Sequence, residues 1–140
     1  MKTLQFFWTN TSHHAFRRPD LSRKASLVGA PEDQASRYNR YLCSALLNDF
    51  QSLGTCIQLL VEINFLERGK KTEFEWAGSA WFIKLRRGGV QIGHQTNCQG
   101  ENEEGRFSLA EFKGALQGWV QFLEMPQSLE AKVEVQLPEA

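Results

Sequence analysis

The chain has 140 residues, of which 41% are hydrophobic and 11% aromatic. That is the length of one domain that buries roughly 68–70% of its unfolded surface, and it is too apolar for intrinsic disorder. Its 16 Lys and Arg balance its 16 Asp and Glu, so the formal net charge is zero; this argues against a nucleic-acid-binding class, which carries a basic excess.

Cys43, Cys56 and Cys98 form no Cys-x-x-Cys pair and have no His at metal-ligand spacing. Free thiols in a reducing cytoplasm are the economical expectation. Met1–Thr9 is too short for the apolar region of a signal peptide. No apolar run approaches the roughly 18–20 residues of a membrane span. The expected location is therefore cytoplasmic.

In chain order, Thr3–Thr9 is short and aromatic and predicts a strand. Asn10-Thr11-Ser12-His13-His14 is polar; the paired His lack further ligands, so a solvated loop is expected rather than a metal site. The glycosylation triplet Asn10-Thr11-Ser12 has no meaning in a cytoplasmic protein. Residues 10–30 predict a mobile arm, because Pro19, Gly29 and Pro31 interrupt any helix. Arg17, Arg18, Arg23 and Lys24 make it basic; a sharper alternative is an arm that binds an anion or a partner, nucleic acid among them. Pro31-Glu32-Asp33 is a helix start. Ala35, Tyr38, Leu42, Ala45, Leu46 and Phe50 recur at spacings of three and four, which predicts a helix over 32–50 closed near Ser52-Leu53-Gly54.

Thr55–Leu66 alternates: Thr55, Ile57, Leu59, Val61, Ile63 and Phe65 fall on one side, which predicts a strand. Glu67–Lys71 reads as a charged turn. Glu73–Arg86 reads as a second, aromatic strand whose phase shifts by one at Ala77-Gly78-Ser79, as at a bulge. Arg86-Arg87-Gly88-Gly89 marks a tight turn, and Val90–Gln95 a third strand. Thr96–Arg106 is a polar loop carrying Glu101, Glu103 and Glu104. Ser108 with Glu111 three residues later is a capping box, and Phe107 with Phe112 is the matching hydrophobic staple. Leu109, Phe112, Leu116, Trp119, Val120 and Leu123 then form an apolar stripe, so a helix is expected over Ser108–Met125, stopped by Pro126. Residues 126–140 form a loose tail, or an edge strand through Val133, Val135 and Leu137. The expected fold class is α+β: an antiparallel β-meander over 55–95, packed by the 32–50 helix and the C-terminal helix, in one domain over 1–140.

There is no phosphate-binding Gly loop, no Gly-x-Ser-x-Gly and no His-Glu-x-x-His. The alternative functions are a small cytoplasmic interaction protein of another kind and, behind it, a small hydrolase using His94 with Cys98 or Glu101, though a triad needs its members held together. No cofactor and no metal are expected.

The order of elements resembles the small immunity proteins of bacterial contact-dependent growth inhibition and related polymorphic toxin systems. The residues that carry the resemblance are Leu53-Gly54, Cys56–Phe65, Glu73–Leu85, Val90–Gln95 and Ser108–Leu123 with its Phe-x(6)-Trp spacing. The resemblance implies a cytoplasmic, non-catalytic protein that binds a cognate toxin domain, commonly a nuclease, and occludes its active site or substrate surface. It implies a protein partner, without direct nucleic-acid binding. Nuclease-blocking immunity proteins are often acidic, whereas this chain is neutral. Its toxin-binding residues would then be clustered acids (Glu73 and Glu75, or Glu101, Glu103 and Glu104) or anchors at the meander's outer face, Trp81, Arg86 and Arg87.

Overall fold

A computed structural model describes residues 2–10, 21–95 and 103–138. His13, His14, Arg17, Arg18, Cys98 and Glu101 lie outside the described residues. The fold is α+β, with two antiparallel sheets rather than one. The first sheet has the order β2-β1-β7, from Leu21–Val28, Lys2–Asn10 and Lys132–Leu137. The second has the order β3-β4-β5-β6, from Glu73–Ala77, Trp81–Arg86, Gly89–His94 and Arg106–Phe107.

β1 forms where the aromatic run predicts it. Leu4, Phe6 and Trp8 point inward, and β7 pairs along it as the expected edge strand, Phe6 opposite Val133. The 10–30 arm is corrected over its second half. Residues 21–28 are β2, paired with β1 so that Trp8 faces Arg23, whose guanidinium lies 5.0 Å from the Trp8 ring. A flat stacked cation can sit on a strand, so its charge did not mark a loop.

The helix expected over 32–50 forms as α1 (Glu32–Tyr38), a π-helical turn (Asn39–Cys43) and α2 (Ser44–Asp49). At the π turn the Ser44 hydroxyl donates to the Asn39 carbonyl at 2.9 Å. The Asn39 side chain accepts the Leu27 amide at 3.0 Å, tying β2 to the helix.

The strand expected over Thr55–Leu66 is overturned: Leu53–Glu67 is helix α3, and Gly54 lies in its first turn rather than closing the previous helix. The run is 15 residues long, beyond an ordinary strand of about 4–8. Cys56, Leu59, Ile63 and Leu66 are buried at spacings of three, four and three. β-branched residues at 57, 61 and 63 gave it a period of two by accident. α3 ends in a Schellman motif. The Gly69 amide donates to the Leu66 carbonyl at 3.1 Å and the Lys70 amide to the Phe65 carbonyl at 2.9 Å. Gly69 takes the left-handed φ of +72° that this end requires.

The meander therefore begins at β3. The expected bulge at Ala77-Gly78-Ser79 is instead a reversal: β3 and β4 are separate antiparallel strands, Ala77 opposite Phe82. Asp49 at the end of α2 holds this turn, accepting from the Ser79 hydroxyl at 2.7 Å and from the Ala80 and Trp81 amides at 3.1 and 2.7 Å. The Arg87-Gly88 turn joins β4 to β5 as expected, with Arg86 opposite Gly89.

α4 (Leu109–Leu123) begins with the complete capping box: the Glu111 amide donates to Ser108 Oγ at 3.0 Å and the Ser108 amide to Glu111 Oε1 at 3.1 Å. α4 touches β1 and β7 of the first sheet and β5 of the second, and the π turn touches β2 and β5. The core therefore sits between the sheets, on the helices. Gly118 lets β7 approach α4: a Cβ there would meet Val135 Cγ2 at 2.2 Å and Phe6 at 3.4 Å. Gly118→Ala should cost about 1–3 kcal/mol by overpacking. Val135→Ala in the same chain should recover part of it, a coupling measurable by a double-mutant cycle in urea.

Candidate functional site

The outward side of the second sheet follows from its register. Glu73, Arg86 and Gly89 form one row; Glu75, Lys84, Gln91 and Arg106 a second; Ala77, Phe82 and Gly93 a third. Phe74, Trp76, Ile83, Leu85, Val90 and Ile92 take the opposite side, toward the core.

This decides the sequence-derived candidates. Glu73 and Glu75 are exposed, each across from a cation: Glu73 lies 3.4 Å from Arg86 and Glu75 3.8 Å from Lys84. Exposed pairs of this kind contribute little to stability, but they alternate the sign of charge across the face. Arg87 lies in the turn, its guanidinium donating to the Glu67 carbonyl at 3.4 Å. Trp81 is corrected: it is 6% exposed and its ring meets Tyr41 and His94 edge-on at 6.1 and 5.0 Å. Trp81 and Arg86 are five residues apart, so a pleated strand sends them to opposite sides. The aromatic on the outer face is Phe82, whose ring lies across Gly93. Glu103 and Glu104 lie in a single 3₁₀ turn before β6. The Glu104 carboxylate meets Arg40 at 2.7 Å, and Arg37 donates to the Glu104 and Arg106 carbonyls at 3.1 and 2.6 Å. Glu104 is thus held against α1 and the π turn.

His94 is the strand-end His of the hydrolase alternative. Its expected companions Cys98 and Glu101 lie outside the described residues. Cys43 and Cys56 are buried and free; burial pushes their thiols up to about 12 and about 11, far from the depressed values of reactive thiolates. Among the described residues no group of three or more His, Cys, Asp or Glu is placed to hold a metal ion. None of their helices is long and apolar enough to cross a membrane.

Two features escaped the sequence. The first is a buried acid–base cluster of Lys2, Tyr38 and Glu111, from β1, α1 and α4. Lys2 Nζ lies 2.8 Å from the Tyr38 hydroxyl and 3.1 Å from Glu111 Oε2, and the Tyr38 hydroxyl also donates to that oxygen. Burial by itself pushes the Glu111 carboxyl up; hydrogen bonds from Tyr38, the Ser108 amide and Lys2 outweigh it and hold the group below its ordinary 4.5. Burial pushes the Lys2 ammonium down, and its bonds to Tyr38 and Glu111 more than restore it. The Tyr38 hydroxyl is held up by burial and by Glu111.

The second is an apolar stripe on α3. Five large apolar side chains are exposed among the described residues, and Leu53, Ile57 and Val61 are three of them. They stand at i, i+4 and i+8, one above the other on one helical face. Residues 50–61 contain no charge. The signal was present as an apolar run too long for a strand and too apolar on all sides for a helix covered on one side only.

No family model, curated protein or solved structure matches the chain.

The cluster predicts a pH profile. Glu111, lowered when folded, adds stability above its ordinary 4.5 that is lost as pH falls through the folded value. Tyr38 and Lys2, raised when folded, add stability that is lost as pH rises past their ordinary 10.0 and 10.5. Urea denaturation should show a plateau between these limits. Glu111→Gln should flatten the acid limb and cost about 3 kcal/mol at neutral pH, because Lys2 is left buried without its counter-charge. An acid limb unchanged in that variant would remove the assignment.

Proposed function

We propose that this chain is a cytoplasmic, non-catalytic immunity protein that binds a cognate toxin domain and blocks its active site or substrate surface, with the α3 stripe as the centre of the contact. The observation that carries the reading is the exposed, uncharged row of Leu53, Ile57 and Val61, 37%, 51% and 44% exposed. Large apolar side chains concentrated on one face mark a surface that another protein covers. Covering them contributes about 1 kcal/mol each, since they are already part-buried. A stable interface needs about 800 Å² on each partner, so the stripe would be its core and polar neighbours such as Gln58 and Asn64 its rim.

The resemblance to immunity proteins also supports the reading, on fewer elements than the sequence alone offered. A helix ahead of the meander, β5 and the Trp-bearing α4 stand in the order that resemblance names; its Leu53-Gly54 helix end and its alternating strand at 56–65 both fall in α3, and its aromatic strand over 73–85 is two strands. With zero net charge, the chain lacks the acidity with which nuclease-blocking proteins steer association. Contact through an uncharged helix face is consistent with that neutrality.

Growth of a bacterial host carrying the reading frame adjacent to this one tests the proposal. Co-expression of this chain should restore growth, and the two products should co-purify. Ile57→Glu combined with Val61→Glu, on a solvent-facing row, should leave the circular dichroism spectrum unchanged and weaken binding about thirtyfold or more. Failure of the unmodified chain to rescue or bind would overturn the function; full binding by the double variant would overturn the docking face.

A further inference from the structure

The two edges of the first sheet differ. β2 forms one, and the helical run lies along it: the Asn39 side chain accepts the Leu27 amide at 3.0 Å, and α1, the π turn and α2 all touch β2. β7 forms the other, and among the described residues no strand pairs with its outer side.

The Asn39 bond fixes which backbone groups of β7 are spare. Residues opposite one another in an antiparallel pair alternate between bonding each other and turning away. Leu27 stands opposite Leu4 and gives its amide to Asn39, so that pair turns away. Leu4 therefore bonds on its other side, to Val135. By the same alternation Val133, Val135 and Leu137 spend their amides and carbonyls on β1, and those of Lys132, Glu134 and Gln136 point out from the edge.

The side chains of this edge complement themselves. Lys132 and Glu134 are exposed and 3.1 Å apart. A two-fold axis at Val133 sets Lys132 of each chain opposite Glu134 of the other, so each such pair exchanges both backbone hydrogen bonds and opposes unlike charges. An axis at Lys132 or at Glu134 opposes like charges, and one at Val135 sets Lys132 opposite Pro138, which has no amide to give. A lone Lys blunts an edge strand; here Glu134 gives that Lys a partner in a second copy. The flank agrees. Going round α4 from β1, Trp119 and Phe122 pack on Phe6, and Gly118 and Gly114 lie over Val135 of β7. Ala110, Gln117 and Gln121 come next, exposed and uncharged, on the side of the free edge. The same axis brings the turn carrying Leu129, 59% exposed, toward the Leu137 end of the second copy's strand.

We propose that β7 is a dimerisation edge: two copies of this chain pair antiparallel about Val133, joining their first sheets into one continuous sheet, with the uncharged α4 flanks beside the junction. The occupant is a second copy because the edge supplies its own complement in both charge and hydrogen bonding. The inference is independent of toxin binding through α3.

Sedimentation velocity of the full chain, from about 1 μM to about 1 mM, tests it. The mass should rise from that of one chain to that of two. Glu134→Lys and Lys132→Glu each set like charges across the axis and should each weaken dimerisation at least about tenfold, with an unchanged circular dichroism spectrum. Mixed in equal amounts, the two variants oppose unlike charges again and should recover the dimer, as should a chain carrying both changes. Ile57→Glu with Val61→Glu, on α3, should leave dimerisation as it is. The proposal is overturned by the mass of one chain at every concentration, by single changes without effect, by no recovery on mixing, or by dissociation in the α3 double variant.

Discussion

The indole of Trp119 is the point through which the two sheets and the helices are tied. It is fully buried, meets Phe6 of β1 edge-on at 5.1 Å, and donates its N–H to the Phe50 carbonyl at 2.7 Å. Phe50 closes α2, and a carbonyl at a helix C-terminus has no partner within its own helix. Without the indole that buried group would keep only the weak bond from the Cys56 thiol at 3.6 Å, at a cost of about 1–3 kcal/mol. The Phe50 ring stacks on Trp76 of β3 at 4.6 Å. One side chain thus fixes where the first helical run stops, how α4 lies on the first sheet, and, through Phe50, where the second sheet begins. The Lys2–Tyr38–Glu111 cluster makes a second tie between β1, α1 and α4, here electrostatic.

Elements whose signals are local were legible in the sequence. α4 announces itself by Ser108, Glu111 and the spacing from Phe112 to Leu123, and every part of that signature is made by residues within one or two turns of one another. β1, β5, β7 and the 32–49 helical run were legible for the same reason. The misread stretches are those whose state is settled by distant partners. β2 has a run of polar and basic residues that becomes a strand because β1 offers it a full ladder and Trp8 a surface for Arg23. The turn at Gly78-Ser79 resembles a bulge until Asp49, 30 residues before Ser79, supplies the acceptor that closes it.

The outer face of the second sheet was legible in its strand and not in its phase. Once β3 and β4 are distinct strands, Glu73, Glu75, Lys84 and Arg86 share one side and Trp81 the other. The exposed acids and bases were therefore found, and the aromatic among them was mistaken for its inward neighbour.

α3 unites the misreading with the proposed role. Its inner residues Cys56, Leu59, Ile63 and Leu66 already complete a helical stripe, so Leu53, Ile57 and Val61 are apolar beyond what the fold itself uses. That surplus filled in a period of two along the sequence, and it is what remains exposed on the surface. The helix is held where it is presented. Lys113 of α4 meets the Glu67 carboxylate at 2.9 Å, Arg87 takes the Glu67 carbonyl, and Gly69 closes the last turn. From Val61 to this anchored end is six residues, about 9 Å along the axis. A stripe carried on a helix fixed at that range loses little conformational freedom when another protein covers it, so more of the apolar burial is left to appear as affinity.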